Sequence, residues 1–242
     1  MKALRAQVAA ELRLTLRRGD SVLLNLAIPV GLLVFFSLVD VLPKPNGIDH
    51  PVDFLTPGIL ALAVMSTAMV SLGIATGFER QHGVLKRLGA TPLGRPRLLA
   101  AKIVSIAAIE ILQMAVLVGV AAVLGWGPGG PVALALPAVL LATVAFCGLG
   151  LLMAGALRAE VTLAAANGLY LALLLLGGMI FPLTKLPGGL RDVAEALPAG
   201  ALSDALHGAL SAGGSVPGRS WVVLVAWAVL APAAAARTFR WE

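Results

Sequence analysis

The stretch Ile103–Leu124, IVSIAAIEILQMAVLVGVAAVL, decides what kind of protein this chain is. Its length matches the roughly 20 apolar residues that a helix needs to cross the hydrocarbon core of a bilayer. Similar runs fill most of the sequence, and only 12% of the residues are charged, whereas soluble domains carry about 25%. We therefore predict an all-α integral membrane protein.

Working outward from this run, the sequence contains six apolar stretches that could each cross the membrane as a helix. They are predicted at Val22–Val39, Phe54–Gly77, Ile103–Leu124, Pro131–Leu157, Val161–Met179 and Trp221–Ala236. The whole chain, 1–242, is expected to be a single transmembrane domain, because these runs leave no room for a soluble one.

Two further segments are expected to lie along the membrane surface. Residues 1–20 have leucines on one face and arginines elsewhere, the pattern of an amphipathic interfacial helix; a soluble amphipathic helix is the alternative. Residues 180–219 are semi-polar and contain Pro182, Pro187 and Pro198. Short helices that dip into the outer leaflet fit this pattern, and a soluble cap over the pore is the alternative.

Basic residues predict the orientation, because cytoplasmic loops retain Lys and Arg. With the N-terminus inside, only Lys44, Lys185, Arg191 and Arg219 of the 18 basic residues face outward. Both termini are therefore expected in the cytoplasm, in a multi-pass protein of the cell membrane. This asymmetry also accounts for the net charge of +6, so nucleic acid is not an expected partner.

The sequence contains no motif for ATP or metal chemistry. A phosphate-binding loop of the form G-x-x-x-x-G-K-[ST] requires a Gly-Lys pair, which never occurs. The three histidines are isolated from one another, and the single cysteine cannot complete a metal site. We expect no catalytic residue, metal or cofactor in this chain. Any ATP and Mg²⁺ would be bound by a partner.

The polar segment between the second and third predicted spans is longer than a turn needs. The sequence ERQHGVLKRL predicts a short helix that packs through apolar residues including Val84 and ends at Gly89. Thr91 and Pro92 fit the cap and first position of the next helix. A rigid, charged helix joined to two spans is what a soluble motor domain would need to push.

These features resemble the ABC-2 family of transporter permeases. The family's PG, E-R-x-x-G and T-P elements occur in order, as Thr56–Gly58, Glu79–Gly83 and the Thr-Pro pair named above. The family also carries an external, proline-marked, half-inserted hairpin between spans five and six, similar to GMIFPLTKLPGGLRDVAEALPAG. The resemblance covers nearly the whole chain.

The resemblance implies the membrane subunit of an ATP-driven exporter. Such a subunit would form its pathway with a second, identical or homologous permease and would be driven by separate ATPase subunits docked on the coupling segment, 79–97. The residues expected to serve this coupling are Glu79, Arg80, Gly83, Lys86, Arg87, Thr91 and Pro92. The substrate would be small and apolar or amphipathic, with drug, haem, lipid and polysaccharide export left open.

Glu110 is the one acidic residue inside a predicted span, about 12 Å beyond Lys102 along the helix. A charge there is expensive, so Glu110 and nearby Gln113 either link helices by hydrogen bonds or line the translocation path. Asn167 is a third candidate for the path. Two other functions stay open: an ion-coupled secondary transporter with Glu110 as proton carrier, and an intramembrane enzyme.

Overall fold

A computed structural model describes residues 7–13, 19–39, 50–89, 95–179 and 187–238, and the regular structure within these ranges is entirely helical. The all-α prediction is confirmed for this part of the chain. The helices are α1 (7–13), α2 (Gly19–Leu38), α3 (Pro51–Met65), a π-helical segment (Ser66–Ser71), α4 (Leu72–Gln81), α5 (Val84–Gly89), α6 (Arg95–Val123), a 3-10 turn (Val132–Leu134), α7 (Ala135–Ala156), α8 (Ala159–Leu176), α9 (Gly188–Ala196), α10 (Pro198–Leu210) and α11 (Gly218–Thr238).

Five helical stretches among the described residues are long and apolar enough to cross a membrane. They are Pro51–Gln81, which joins α3, the π-helical segment and α4, then Arg97–Val123, Val132–Ala156, Ala159–Leu176 and Gly218–Thr238. These correspond to the second through sixth predicted spans. The first predicted span falls in α2, where Asn25–Leu38 forms a shorter apolar helix. A sixth crossing remains a prediction.

The two longest helical stretches are longer than the hydrocarbon core of a bilayer. Pro51–Gln81 has 31 residues and α6 has 29. At 1.5 Å per residue each is about 45 Å long, against a hydrocarbon core of roughly 30 Å. Since α4 leads through the short helix α5 into α6, the end of α4 and the start of α6 lie side by side. Their polar residues are thereby brought together outside the hydrocarbon.

Helix α7 packs against most of the other membrane helices. Two of its glycines make this possible. A Cβ on Gly150 would lie 2.6 Å from Met69 O in the π-helical segment, and one on Gly148 would lie 2.5 Å from Pro232 N in α11. These distances exclude a side chain, so glycine at both positions allows α7 to approach its neighbours closely.

The short helix predicted over ERQHGVLKRL is instead the end of one helix and the start of another. Helix α4 continues to Gln81, and α5 begins at Val84. Between them Gly83 has a φ of 71°, a left-handed conformation that favours glycine. Leu85 is fully buried beneath α5, but Val84 is 39% exposed, so the prediction that Val84 packs inward is wrong.

Several predicted features lie partly outside the described residues. Thr91, Pro92 and Pro182 are among them, as are 1–6 and 14–18 of the N-terminal segment. In the segment predicted to be external, Pro187 precedes α9 and Pro198 begins α10, so these two prolines start the two short helices. The depth of this helical pair in the membrane remains a prediction.

Candidate coupling site and intramembrane polar contacts

Lys102 joins three helices where α4 ends and α6 begins. Its Nζ lies 2.6 Å from Glu79 Oε2 in α4 and 3.2 Å from Glu11 Oε2 in α1. The lysine side chain is 1% exposed, and the side chains of Glu79 and Glu11 are 13% and 10% exposed. A desolvated ammonium is costly unless it is paired, and here two carboxylates share its three donors. We refer to Lys102, Glu79 and Glu11 as the ammonium cluster.

Arg80, the residue after Glu79, fastens α4 to the end of α7. It donates hydrogen bonds to Gly155 O at 2.6 Å and to Leu157 O at 2.5 Å. Carbonyls at the C-terminal end of a helix lack helical partners, and a cation complements the negative end of the helix dipole. Arg80 therefore satisfies the end of α7 and holds it against α4.

Gln81 adds a third contact at the same end of α4. Its Nε2 donates to Glu160 Oε1 at 2.7 Å, in the first turn of α8. Successive residues of a helix point about 100° apart, so three neighbours can reach three different parts of the chain. Glu79, Arg80 and Gln81 together tie α4 to α1, α6, α7 and α8.

The predicted coupling residues in the described part of the chain divide into two groups. Glu79 and Arg80 make contacts within the chain, while Lys86 and Arg87 in α5 are exposed at the surface. Gly83 forms the turn between the groups. The exposed surface of this segment is therefore α5 with Lys86 and Arg87. Glu79 and Arg80 precede it and attach the end of α4 to the neighbouring helices.

The sequence alone does not single out Lys102 or Glu11. Lys102 reads as one more basic residue flanking a span, and Glu11 as part of the polar face of an amphipathic helix. One signal was available, since Lys102 directly precedes the apolar run Ile103–Leu124. If a lysine at this position is drawn inward instead of extending to the interface, it needs an acidic partner.

A polar contact inside the membrane joins α2, the π-helical segment and α6. Pro29 has no N–H, so the carbonyl of Asn25, four residues earlier in α2, loses its helical donor. Gln113 Nε2 donates to this carbonyl at 2.7 Å, and Gln113 Oε1 accepts from Thr67 at 3.0 Å. The Asn25 side chain donates to Ser71 at 2.6 Å. Gln113 thus replaces the hydrogen bond that the proline removes.

Glu110 belongs to a different interface, between α6 and α7. It is buried, and the Thr143 hydroxyl contacts Glu110 Oε2 and also lies 2.9 Å from Val139 O. A hydroxyl has one proton and can donate to only one of these oxygens. Both contacts are satisfied if Glu110 is a neutral acid that donates to Thr143, while Thr143 donates to Val139. A neutral acid also avoids the cost of a charge within the span.

Glu110 and Gln113 thus both make hydrogen bonds across helix interfaces, but with different partners. Asn167 differs from both because its side chain is exposed in the middle of α8. Its Nδ2 donates to Leu163 O at 2.8 Å within the same helix. Polar residues inside spans generally face another protein surface or a water-filled path rather than lipid. Asn167 therefore stays a candidate for the translocation path.

Membrane helices packed around α7, with polar links inside the membrane and a charged assembly at one end, define a multi-span integral membrane protein. Residues 2–210 match the family described as ABC-2 type transporter. Because the match covers most of the sequence, the chain belongs to the ABC-2 type transporter family, and the predicted resemblance is confirmed.

One relative matches over almost its whole length. It is the protein named "Putative transport permease YvfS" from Bacillus subtilis (strain 168). The two are 25% identical over 232 residues, which are 95% of this chain and 94% of the relative. The similarity therefore extends past the family match and includes α11.

Proposed function

We propose that this chain is the membrane-spanning subunit of an ATP-driven exporter. Two permease subunits, identical or homologous, would form the pathway between them, and separate ATPase subunits would drive it. Membership of the ABC-2 type transporter family supports this proposal, because permeases of this kind generally work with ATPase partners. The lack of a Gly-Lys pair in the sequence also supports it, since ATP and Mg²⁺ would be bound by the partner.

The construction of the cytoplasmic end carries the proposal. Helix α5 lies between the two helices that extend beyond the bilayer and presents Lys86 and Arg87 at the surface. Behind α5, Arg80 and the ammonium cluster fasten the end of α4 to α1, α6 and α7. A force applied to α5 would therefore be transmitted through α4 to α1, α6 and α7.

The proposed topology is one transmembrane domain, 1–242, with six spans in the cell membrane and both termini in the cytoplasm. Helix α2 would be the first span, since its 20 residues match the length that a crossing needs. Six crossings return the chain to its starting side. The segment 79–97 would then be cytoplasmic, 1–20 interfacial and 180–219 external.

The pathway would be completed by the second permease copy. The exposed amide of Asn167 on α8 supports this, because contact with a partner or a wet path would remove it from lipid. An apolar or amphipathic small molecule suits such a path, and drug, haem, lipid and polysaccharide export remain alternatives within the class. The family assignment supports the prediction that the chain is not itself an enzyme.

Affinity purification of the full-length chain from its native membrane tests the proposal. We expect an ABC-type ATPase subunit to purify with it, and to be lost when Lys86 and Arg87 are both changed to Glu. Reversing charges at a docking surface slows association and weakens the complex. Arg219→Glu, at the opposite end, is the matched control and should retain the ATPase. A wild-type chain that binds no ATPase would contradict the proposal.

The buried position of Glu110 favours one second candidate, a proton-coupled transporter in which this residue carries the proton. Glu110→Gln separates the two functions, because glutamine can keep a hydrogen bond to Thr143 but cannot release a proton in this way. ATP-driven transport should persist in this variant if Glu110 only links helices. Loss of transport with ATP hydrolysis intact would indicate that Glu110 belongs to the translocation path or to proton coupling, and wild-type transport without any ATPase would favour the second candidate.

A further inference from the structure

Lys102 is buried where a flanking lysine has no need to be. Basic residues at the end of a span normally extend their charged group to the interface and bury only the apolar stem. Lys102 instead is 2% exposed, with its Nζ between Glu79 and Glu11. Orientation by positive charge requires only that the residue stay on the cytoplasmic side. The enclosed ion pairs therefore call for a role beyond orientation.

We infer that Lys102 is a positioning residue for coupling, which fixes the end of α4 against α1 and α6 and so sets the orientation of α5. This inference rests on the proposed exporter function, in which the ATPase acts on α5. It adds a residue that would influence ATP-driven movement without touching the ATPase.

The contacts between Lys102 and α5 are continuous. Glu79, held by Lys102, lies in the last turn of α4. The turn that follows is closed by backbone hydrogen bonds, from Gly83 N–H to Arg80 O at 3.0 Å and from Arg87 N–H to Gly83 O at 3.3 Å. Leu85 is fully buried and anchors α5 from below. The direction of α5 is therefore set by the end of α4.

The N-terminal helix α1 is connected to the same point. Gln7 Nε2 donates to Glu11 Oε1 at 3.0 Å, which leaves the other carboxylate oxygen directed to Lys102. Ser105 Oγ of α6 also lies 3.4 Å from Val8 O of α1. A movement of α5 would thus be passed through one ammonium group to both α6 and α1.

Glu79 and Glu11 provide a matched pair of variants. Glu79→Gln and Glu11→Gln each remove one negative charge next to Lys102 and preserve side-chain shape. Only Glu79 lies in the helix that leads into α5. If the cluster only stabilises the fold, the two variants should lose coupling in proportion to their loss of stability. If Lys102 positions α5, Glu79→Gln should lose more coupling than its loss of stability explains.

The test uses the full-length chain in its complex with the ATPase. Two quantities are measured: the stimulation of MgATP hydrolysis relative to the isolated ATPase subunit, and thermal unfolding of the permease. We expect Lys102→Met, which keeps an apolar stem, to lower the stimulation about tenfold or more, because breaking a buried pair leaves its partners uncompensated. Lys102→Arg should restore part of it, since the guanidinium keeps the charge but not the shape of the ammonium.

A double variant makes the test specific to the contact. In the Lys102→Met background, Glu79→Gln should reduce the stimulation little further, because the interaction that it removes is already gone. If Lys102→Met does not fold, the comparison of Glu79→Gln with Glu11→Gln decides the matter alone. Wild-type stimulation in a folded Glu79→Gln variant would overturn the inference. The inference would also be overturned if Glu79→Gln and Glu11→Gln lost the same amount of stimulation and the same amount of stability.

Failure of the proposed function would look different. A wild-type chain that neither binds an ATPase nor stimulates its hydrolysis would defeat the exporter proposal before any variant is compared. If the wild-type complex stimulates hydrolysis, and Lys102→Met and Glu79→Gln stimulate it as much as wild type does, the exporter proposal would stand. In that case only the role of Lys102 would be wrong.

Discussion

Both ends of the molecule carry ion pairs, but those where α4 ends and α6 begins are buried, whereas those around α9 are exposed; we call these the α4–α6 end and the α9–α10 end. The Lys102 side chain is 1% exposed between its two carboxylates. Arg191 and Arg219, which both pair with Glu195 of α9, have side chains that are 48% and 52% exposed. Water screens exposed pairs, so they fix geometry weakly, whereas a buried charge strongly resists the loss of its partners.

Neutral contacts fasten helices at the α9–α10 end. His207 Nε2 lies 3.1 Å from Phe54 O, which joins α10 to α3. Trp227 Nε1 donates to Ala196 O at 3.0 Å, which joins α11 to the end of α9. Helices can therefore be fastened in this protein without a buried ion pair. Between the two ends, the enclosed ion pairs of Lys102 distinguish the α4–α6 end, which indicates that its geometry has a special importance.

Among the variants that test this comparison, Arg80→Ala should lower the unfolding free energy most. It removes two charge-assisted hydrogen bonds to Gly155 O and Leu157 O, and we expect a loss of about 3 kcal/mol in unfolding free energy. Arg80→Lys should lose less, because it keeps the charge. Denaturant unfolding of the purified chain in detergent measures both. If Arg80→Ala were as stable as wild type, the α4–α6 end would not be the more rigid of the two.

Asp204→Asn, at the α9–α10 end, should have an intermediate effect on stability. Burial, with a smaller contribution from the negative charge of Glu195, raises the pKa of Asp204 to about 6. The folded state therefore holds a proton more tightly than the unfolded state, and stability should fall as the pH rises from about 4 to above 6. We expect wild type to be about 1 kcal/mol less stable at pH 8 than at pH 5 on this account.

Unfolding of Asp204→Asn at the same two pH values checks the assignment. This variant cannot titrate at that position and should lose most of the difference between pH 5 and pH 8. A pH difference as large as that of wild type would place its origin elsewhere in the chain.

Arg219→Ala should have the smallest effect. Its pairing with Glu195 is solvent-exposed, so we expect a change below about 1 kcal/mol that shrinks further in high salt. The pKa of Glu195 is held below its usual value, chiefly by the hydrogen bond from Arg191. The contribution of Glu195 is therefore present at neutral pH and is lost only as the pH falls through this lowered value. If Arg219→Ala lost several kcal/mol of unfolding free energy at pH 7, the two ends would not differ in how strongly their ion pairs stabilise the fold.

The helices were predictable because an apolar run of span length has few other interpretations. Ile103–Leu124 is found in α6 as expected, apart from its last residue. Hydropathy does not mark the start of α6 in the polar region, and only the capping pattern of Thr91 and Pro92, which lie outside the described residues, predicted a helix that begins before the apolar run; the described helix begins at Arg95. The break at Gly83 was missed for a similar reason, since a glycine within a helical pattern can be either interior or terminal.

The polar contacts were harder to predict, because they depend on which helices become neighbours. Glu79 meets Lys102 across 23 residues of sequence, and Glu11 meets it across 91. Pro29 signals a free carbonyl in α2, but the donor that fills it, Gln113, comes from α6. Sequence patterns identify residues that need partners, and tertiary packing selects the partner.

Site-specific cross-linking to the ATPase tests the central claim, that α5 is the surface on which the ATPase acts. A single cysteine is placed at Lys86→Cys in α5, in a Cys147→Ala background, and carries a photoreactive maleimide. Val193→Cys in α9, which is 52% exposed in wild type, is the matched external control. We predict that membranes containing the whole complex yield a permease–ATPase cross-link from position 86 and none from position 193. Absence of the cross-link at 86 in a complex that retains the ATPase, or an equal yield at 193, would contradict the claim.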